Sequence, residues 1–369
     1  MTERARIGAV ILAAGFSSRM GGFKPLLNLG GMTVLARCVR LFRDQGIGRI
    51  MVVTGHRAAE VEEEAGRLGV LTVHNEHYEQ GMFSSVRTAV ATMTGMDAFF
   101  LLPVDIPLVR PATVATLLAR YQDRILFPVF GGERGHPPLI PRQMIPAIMD
   151  HDGQDGLRGV LEQHPAEDVP VWDRGILCDA DTPDDFARLL ACLGRLAVGE
   201  REEALALAGQ TMPERGLAHG LAVATVALRL GEELNAHGLG LDLELIHNAA
   251  LLHDVAKGRP GHEAAGGKML SALGLDGLSA IVASHRDVPP PVSGVPTEKE
   301  IVFLADKLVR CDRRIAIEER FGEKLALYAG DAAACRAIDG RLRNALAVRD
   351  LVERICDRSV EHMLAGVLP

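Results

Sequence analysis

The sequence predicts two domains of different class, an α/β domain with a mostly parallel sheet followed by an all-α domain. First, 369 residues exceed what one typical core holds, so two domains are the default expectation. Second, apolar runs alternate with amphipathic segments up to Pro183. Third, helical periodicity continues from Asp184 to the end without a convincing strand. We therefore expect domains over residues 1–195 and 196–369.

The elements of the first domain follow from this alternation. We expect strands over residues 7–14, 49–55, 71–74, 98–104 and 125–129, and helices over 34–42, 85–93 and 111–121. Such a sheet carries helices on both faces and binds ligands at the carboxyl ends of its strands. In the second domain, residues 201–207 and 246–252 are expected to be helical.

Composition and charge exclude several classes of protein. Hydrophobic residues make up 48% and charged residues 24%, a balance typical of globular proteins. A net charge of −8 argues against nucleic-acid binding but allows small phosphorylated ligands. The six cysteines include no Cys-x-x-Cys pair, so neither a zinc ribbon nor a disulfide framework is indicated. The first apolar run is too short for a signal peptide or a membrane span, so we expect a cytoplasmic protein without a membrane partner.

The most informative segment directly follows the first expected strand. Gly15, Gly21 and Gly22 permit close backbone approach to a ligand, while Arg19 and Lys24 supply positive charge. These residues do not have the spacing of the Walker loop or of the dinucleotide fingerprint. Glycines alone would fit a surface turn equally well, but together with the two cations they predict a cradle for a nucleoside triphosphate.

The complete loop, residues 12–24, resembles the signature of the molybdenum-cofactor nucleotidyltransferases in the glycosyltransferase-A-like (GT-A-like) nucleotidyltransferase superfamily. The resemblance implies a Rossmann-like α/β fold. It assigns these loop residues to nucleotide binding: Leu12, Ala13, Ala14, Gly15, Ser18, Arg19 and Lys24. A second segment resembles an element that lies beside the nucleotide in the cytidylyltransferase branch. Its corresponding residues are Asn75, Gly81, Ser84, Ser85 and Arg87.

The resemblance also implies a magnesium site. Residues 102–107 resemble the family's Gly-Asp-Met-Pro strand end, although Pro103, Val104 and Ile106 depart from it, and the matching Asp105 would bind Mg²⁺. Residues 178–185 resemble the family's closing Asp-x-Asp-Thr-Pro-x-Asp, so either Asp179 or Asp181 would be the second ligand. The same segment has the pattern of a helix start. Its N-cap would be Thr182, followed by Asp184 and Asp185 in the first turn.

The implied reaction is attack of an acceptor phosphate oxygen on the α-phosphorus of the triphosphate, with pyrophosphate leaving. Arg19 and Lys24 would stabilise the leaving pyrophosphate, and His136 and Arg158 lie in segments that resemble the acceptor side. The Ala-Ala-Gly loop and the paired serines resemble enzymes that use CTP. The resemblance therefore implies CTP and a molybdopterin-type cofactor as substrates, with a target molybdoenzyme as a further partner.

The second domain contains histidines and aspartates in a regular order. They are His219, His253, Asp254, His262, His285 and Asp306. A lone histidine is more often a core or surface residue, but this set offers the ligands that divalent metals prefer. The order resembles the HD-domain phosphohydrolases, which implies one or two divalent metals (Mn, Fe or similar) with Asp254 bridging two ions. Lys257 would contact a substrate phosphate, and His247 is expected to be structural.

Several alternatives stay open from the sequence. The acceptor could be a sugar or polyol phosphate instead. The chain could also carry or insert a cofactor for a molybdoenzyme with little turnover, with the HD domain serving a regulatory role. HD domains include nucleotidases, cyclic-nucleotide phosphodiesterases and dinucleotide hydrolases. Residues 289–291, which are all proline, depart from the histidine-rich run of some two-metal relatives, so the metal count and substrate are open.

Overall fold

The computed structural model describes residues 5–368. The chain divides into two compact units, of which one ends at Gly194 and the other begins at Arg195. The first unit is built on a sheet and the second on helices, which confirms the predicted fold classes. None of the helices in the described part of the chain is long and apolar enough to cross a membrane.

The first unit is built around a mixed sheet in which parallel pairs predominate. Its strands, including a separate hairpin of β2 and β3, are β1 (Ile7–Leu12), β2 (Asn28–Leu29), β3 (Met32–Thr33), β4 (Arg49–Thr54), β5 (Leu71–His74), β6 (Ala98–Pro103), β7 (Ile125–Phe130), β8 (Glu133–Arg134), β9 (Leu139–Pro141) and β10 (Ala166–Pro170). The strand order is β10-β7-β9-β6-β1-β4-β5, with β8 paired to β7. Because β1 lies between β4 and β6 and runs parallel to both, the carboxyl ends of the three strands lie side by side at one edge of the sheet.

Three strands of the sheet were not expected from the sequence: the two-residue β8, which pairs with β7, and the longer β9 and β10. β9 has only three residues, is bordered by prolines and runs antiparallel to β6 and β7. β10 reads Ala-Glu-Asp-Val-Pro, without an apolar run, and pairs with β7 at the end of the sheet. All three are held by pairing with neighbouring strands, and tertiary pairing of this kind overrides local propensity.

Helices flank the strands of the first unit. They are α1 (Val34–Arg43), α2 (Ala58–Leu68), α3 (Met82–Val90), α4 (Pro111–Arg120), α5 (Ile145–Asp150), α6 (Gly156–Leu161) and α7 (Pro183–Arg195). The N-terminus of α7 has the expected cap: the backbone N–H of Asp185 donates to Thr182 Oγ1 at 3.2 Å, and the Thr182 N–H donates to the Asp185 carboxylate at 2.7 Å. This reciprocal pair fixes where the segment before α7 ends.

The second unit is helical, with one short hairpin. Its elements are α8 (Arg201–Thr211), α9 (Glu214–Ala236), α10 (Leu243–Leu252), α11 (His262–Ala272), α12 (Asp276–Ser284), α13 (Glu298–Leu308), β11 (Val309–Arg310), β12 (Arg313–Arg314), α14 (Ile317–Leu327), α15 (Ala332–Cys356) and α16 (Val360–Met363). The expectation of no strand after Asp184 is therefore wrong at β11 and β12. Strands of two residues are too short to produce a readable alternation.

The close crossing of α9 and α10 gives a test of the packing. A Cβ added at Gly220 would lie 2.4 Å from the backbone oxygen of Leu251, whereas one at Gly209 in α8 would meet nothing within 4 Å. Gly220→Ala should lower the free energy of unfolding by about 1–3 kcal/mol through overpacking. Gly209→Ala should raise it by about 0.5–1 kcal/mol, because alanine is the better helix former. Urea denaturation followed by circular dichroism measures both; equal shifts in the two variants would contradict the close crossing.

Candidate active sites

The loop after β1 borders a cleft at the carboxyl ends of the central strands. The backbone N–H of Ala13 donates to the Val53 carbonyl at 3.0 Å, and that of Lys24 donates to Ser17 Oγ at 3.1 Å, so both ends of the loop are held. The cleft has a volume of about 380 Å³. The predicted site residues that line it are Leu12, Ala13, Ala14, Gly15, Lys24, Gly81, Ser85 and Asp105.

Charged groups from three distant segments meet at this cleft. Lys24 Nζ lies 2.7 Å from the carboxylate of Asp181 and 3.6 Å from that of Asp105. Arg19 reaches the other oxygen of Asp181 at 2.9 Å, with most of its own side chain exposed. The loop after β1, the end of β6 and the segment before α7 supply these groups. The fold therefore places four of the predicted residues in one cluster.

The two carboxylates of this cluster are in different environments. Burial raises the pKa of Asp105, with Lys24 opposing the shift. The hydrogen bond from Lys24 is the main reason that the pKa of Asp181 is lowered. Two carboxylates within 4 Å of one ammonium group offer the oxygen ligands that Mg²⁺ takes, so these residues fit a magnesium ion. Asp179 is exposed, and among the ion pairs of the described residues Lys24 contacts Asp105 and Asp181 but not Asp179.

The predicted Asn75 segment organises the start of α3. Buried Asn75 donates through Nδ2 to the hydroxyls of Ser84 at 2.8 Å and Ser85 at 3.0 Å. Gly81 precedes the helix with a φ of +98°, a conformation that L side chains rarely adopt. Arg87 lies elsewhere: its guanidinium donates to the His151 carbonyl and is not part of the cleft lining. Of the predicted residues in this segment, Gly81 and Ser85 line the cleft. Asn75 and Ser84 do not line it, but the hydrogen bonds of Asn75 hold them beside Ser85.

A second, larger cleft of about 610 Å³ adjoins the first, because Met82 lines both. Its lining includes the two residues predicted for the acceptor side, His136 and Arg158, together with apolar Phe83 and Phe127. Burial lowers the pKa of His136, and its Nδ1 is buried without a hydrogen-bond partner. The exposed Arg158 forms an ion pair with Glu162 at 2.6 Å, within reach of solvent. The cleft thus combines apolar walls with polar groups.

An aromatic cluster at the mouth of the first cleft was not predicted. The ring of half-exposed Phe16 lies 5.1 Å from that of His56 and 5.3 Å from that of Tyr78. Phe16 occupies a variable position of the loop signature, and its neighbours come from other loops. The sequence therefore carries no signal for this contact.

In the second unit, the predicted metal ligands converge from five helices or helix ends. They are His219 in α9, His253 and Asp254 after α10, His262 at the start of α11, His285 after α12 and Asp306 in α13. Asp254 lies 3.4 Å from His253 Nε2 and 3.4 Å from His262 Nε2. Asp306 lies 3.5 Å from His219 Nε2 and 3.8 Å from His253 Nε2. All six except His262 are buried.

The imidazoles of this cluster are oriented by backbone carbonyls. Three of them contact a carbonyl oxygen through Nδ1: His219 with Cys311 at 2.9 Å, His253 with Ala250 at 2.7 Å and His285 with Val282 at 2.7 Å. A carbonyl oxygen only accepts, so each ring carries its proton on Nδ1 and presents the Nε2 lone pair inward. His253 Nε2 is buried without a hydrogen-bond partner. A metal ion would satisfy that atom, so these residues fit one.

Asp254 belongs to two groups of candidate ligands. One group contains His219 and His253, and the other contains His262 and His285; in each group the ligand atoms lie within 4.8 Å of one another. A carboxylate shared in this way suits a pair of ions. Burial lowers the pKa of His285 to about 4, so its ring is neutral at pH 7 and available to a metal.

Cationic side chains surround the ligands. Lys257 Nζ lies 2.5 Å from Asp254, Lys307 Nζ lies 2.6 Å from Asp306, and Arg320 lies 3.2 Å from Asp306. Lys257 was predicted, whereas Lys307 and Arg320 were missed. Lys307 directly follows the predicted ligand Asp306 in the sequence, and this position could have indicated that it lies near the metal site. Arg320 comes from α14, and its contact depends on how that helix packs.

Two family models match the chain. The model of a MobA-like NTP transferase domain matches residues 9–169, and that of an HD domain matches residues 216–311. The molybdenum cofactor cytidylyltransferase of Escherichia coli (strain K12) is 30% identical over 181 residues, which cover 49% of this chain and 93% of the relative. The phosphoenolpyruvate guanylyltransferase of Rubrobacter xylanophilus is 34% identical over 188 residues, which cover 49% of this chain and 90% of that protein.

One similar solved structure is a nucleotidyl transferase from Methanothermobacter thermautotroptrophicus. It aligns with a TM-score of 0.47 at 25% identity, and the alignment covers 52% of this chain and 98% of that chain. The family matches confirm the two resemblances that the motifs carried, one in each unit.

Proposed function

The chain belongs to the MobA-like NTP transferase family and carries an HD domain, and we propose that its first unit transfers CMP from CTP to a molybdopterin-type cofactor. The observation that carries this proposal is the cluster of Arg19, Lys24, Asp105 and Asp181 at the carboxyl ends of β1 and β6. Ligands of open α/β sheets bind at that edge. The cluster supplies both the cations and the carboxylates that a triphosphate with its magnesium ion requires.

The residues of the cluster have distinct roles in this reaction. An oxygen of the acceptor phosphate attacks the α-phosphorus, and the bond to the β-phosphate oxygen breaks. Lys24 and Arg19 bind the leaving pyrophosphate and offset its growing negative charge. Asp105 and Asp181 would hold Mg²⁺, which neutralises the charge of the triphosphate when bound. The N-terminal loop positions the α-phosphate through its backbone N–H groups.

Two observations support the choice of base and acceptor. The relative with 30% identity over 93% of its length is a cytidylyltransferase named for the molybdenum cofactor. The neighbouring cleft of about 610 Å³ has aromatic walls for a ring system, and Arg158 for a phosphate. Another relative is a guanylyltransferase named for phosphoenolpyruvate. The base and the acceptor are therefore what the assay must distinguish.

The proposal predicts that pyrophosphate release is fastest when CTP and molybdopterin are supplied together. The full chain with Mg²⁺ is incubated with each of the four nucleoside triphosphates, with molybdopterin or with sugar and polyol phosphates. Release with CTP and molybdopterin at the highest kcat/KM supports the proposal. Faster pyrophosphate release with a sugar or polyol phosphate would show that this compound, and not molybdopterin, is the acceptor. Tight binding of the cofactor without release would favour a carrier role for the first unit.

For the second unit we propose a metal-dependent phosphohydrolase. The observation that carries this proposal is Asp254, shared between two groups of buried imidazoles. Two divalent ions such as Mn²⁺ or Fe²⁺ would supply a hydroxide and polarise a phosphoryl group when bound. Lys257 Nζ lies 2.5 Å from Asp254, and this proximity supports a role for Lys257 in contacting a substrate phosphate. An HD domain that only regulates the first unit would bind metal without releasing phosphate from any ester.

A further inference from the structure

Two clefts of the second unit meet at the cluster of metal ligands. The smaller has a volume of about 300 Å³ and the larger about 660 Å³. The residues that line both are His219, Asp254, Lys257, Arg320 and Lys324. A ligand whose reacting phosphate lies at this junction can therefore extend in two directions.

The smaller cleft is strongly cationic in a chain whose net charge is −8. Its lining includes six basic side chains and three carboxylates. The basic residues are Lys257, Arg286, Lys307, Arg320, Lys324 and Arg341. Divalent ions bound to the ligand cluster would increase the positive charge of this space further. Such a cleft favours a ligand with several negative charges.

Two of the basic side chains in the smaller cleft are not balanced by acids. Lys324 and Arg341 have no carboxylate within 4 Å among the described residues, whereas the other four lie near Asp254, Glu263 or Asp306. Burial, followed by repulsion from neighbouring cations, lowers the pKa of Lys324. An anionic ligand would relieve this repulsion and supply the acidic partner that the described residues do not.

The larger cleft has an apolar wall. The side chains that form this wall are Met212, Pro213, Val255, Val309 and Leu327. The lining also includes the basic side chains of Arg215 and Arg310, of which Arg310 is paired with Glu323 at 2.6 Å. The apolar wall itself suits an organic group. The two clefts together match a ligand with phosphates at one end and an organic group at the other.

We propose that the helical unit hydrolyses the phosphoanhydride bond of organic diphosphates and prefers them to phosphomonoesters; the inference rests on the proposed phosphohydrolase function. The terminal phosphate lies in the smaller cleft against Lys324 and Arg341. The organic group lies against the apolar wall of the larger cleft. A phosphomonoester reaches the junction but leaves Arg341, which lines the smaller cleft and not the larger one, without a ligand.

Hydrolysis of the phosphoanhydride bond requires water as its only co-substrate. The oxygen of a water molecule forms a bond to the phosphorus that carries the organic group, which lies at the junction, and the bond from that phosphorus to the bridging oxygen breaks. The bridging oxygen leaves with the electron pair as part of inorganic phosphate. The products are inorganic phosphate and the organic monophosphate, and the released proton goes to solvent. No oxidant or second substrate is needed.

The test compares diphosphates with monoesters on the full chain loaded with Mn²⁺. ADP and CDP should be hydrolysed with kcat/KM at least about tenfold above that of AMP, CMP and p-nitrophenyl phosphate. Lys324→Ala and Arg341→Ala should each reduce the diphosphate rate by about tenfold, the loss expected for one charge-assisted hydrogen bond. Arg341→Ala changes a residue that lines the smaller cleft and not the larger one, so it should leave the p-nitrophenyl phosphate rate unchanged. Arg343→Ala is the matched control, since this exposed residue of α15 pairs with Asp339 outside the cleft.

A binding measurement separates this inference from the proposed function. Calorimetry with α,β-methylene-ADP, which cannot be hydrolysed between its phosphates, should show weaker binding to Lys324→Ala and Arg341→Ala than to wild type. Because both residues lie in the helical unit, the difference reports on that unit alone. The inference would be overturned if monoesters were hydrolysed as fast as diphosphates and if the two variants did not change the rate of diphosphate hydrolysis. The proposed phosphohydrolase function would not be contradicted by that result. If none of the tested monoesters and diphosphates were hydrolysed, the phosphohydrolase function itself would be overturned, even if α,β-methylene-ADP bound to the protein.

Discussion

Asp105→Asn is expected to lower pyrophosphate release from CTP by at least about 100-fold, the usual cost of removing a group that stabilises transition-state charge. The substitution keeps the size of the side chain and removes its negative charge. Without that charge the magnesium ion loses one of its two proposed ligands, and Lys24 keeps only Asp181 as a partner. Steady-state release, measured with CTP, Mg²⁺ and molybdopterin, gives the rate.

Stability distinguishes this loss from unfolding. Burial raises the pKa of Asp105, so its charged form costs stability at pH values above its unfolded-state pKa. The Asn variant should therefore be at least as stable as wild type at pH 7. Asp184→Asn is the control, because this exposed carboxylate lies in the first turn of α7 and has no ion pair in the described structure. Unchanged release by Asp105→Asn would show that the magnesium assignment is wrong.

His253→Ala is expected to remove metal from the second unit. Its Nε2 is buried, unpaired and directed at Asp254 and Asp306, so no other group replaces it as a ligand. Plasma mass spectrometry of purified protein should show the loss of at least one of two ions per chain, since removing a first ligand costs most of the affinity of a metal site. Phosphate release should fall with the metal.

Two further variants make the metal measurement specific. His247→Ala changes a half-buried imidazole of α10 that contacts Asn248 at 2.9 Å, and it should keep the full metal content. His262→Ala changes the more exposed ligand of the other group, so it should lose one ion and keep the one held with His219. Equal metal content in wild type and His253→Ala would contradict the paired-ion site.

Local signals account for much of the fold and the ligand sets. Alternating apolar runs predicted the central strands, and Thr182 with Asp185 predicted the start of α7. Short motifs also identified the residues that meet around Asp105 and Asp254, because each motif is a short run of neighbouring residues with a recognisable order. Their distances were not predictable, since each cluster is assembled from segments far apart in sequence.

The misses have a common physical origin. β9 forms because β6 and β7 offer it partners, although its own three residues carry no strand signal. Arg87 was expected beside the nucleotide but instead donates to the carbonyl of His151. Arg320 reaches Asp306 only through the packing of α14. In each case a tertiary contact that no local pattern encodes determines the result.

The most direct test of the nucleotidyltransferase site is a crystal structure of the full chain with CTP and Mg²⁺ bound. The proposed arrangement predicts Mg²⁺ between the carboxylates of Asp105 and Asp181, at about 2.0–2.1 Å from its ligand oxygens. Lys24 and Arg19 should then contact the β- and γ-phosphates instead of the carboxylates. A triphosphate bound away from the loop after β1, or a cation that contacts neither aspartate, would contradict the proposed site.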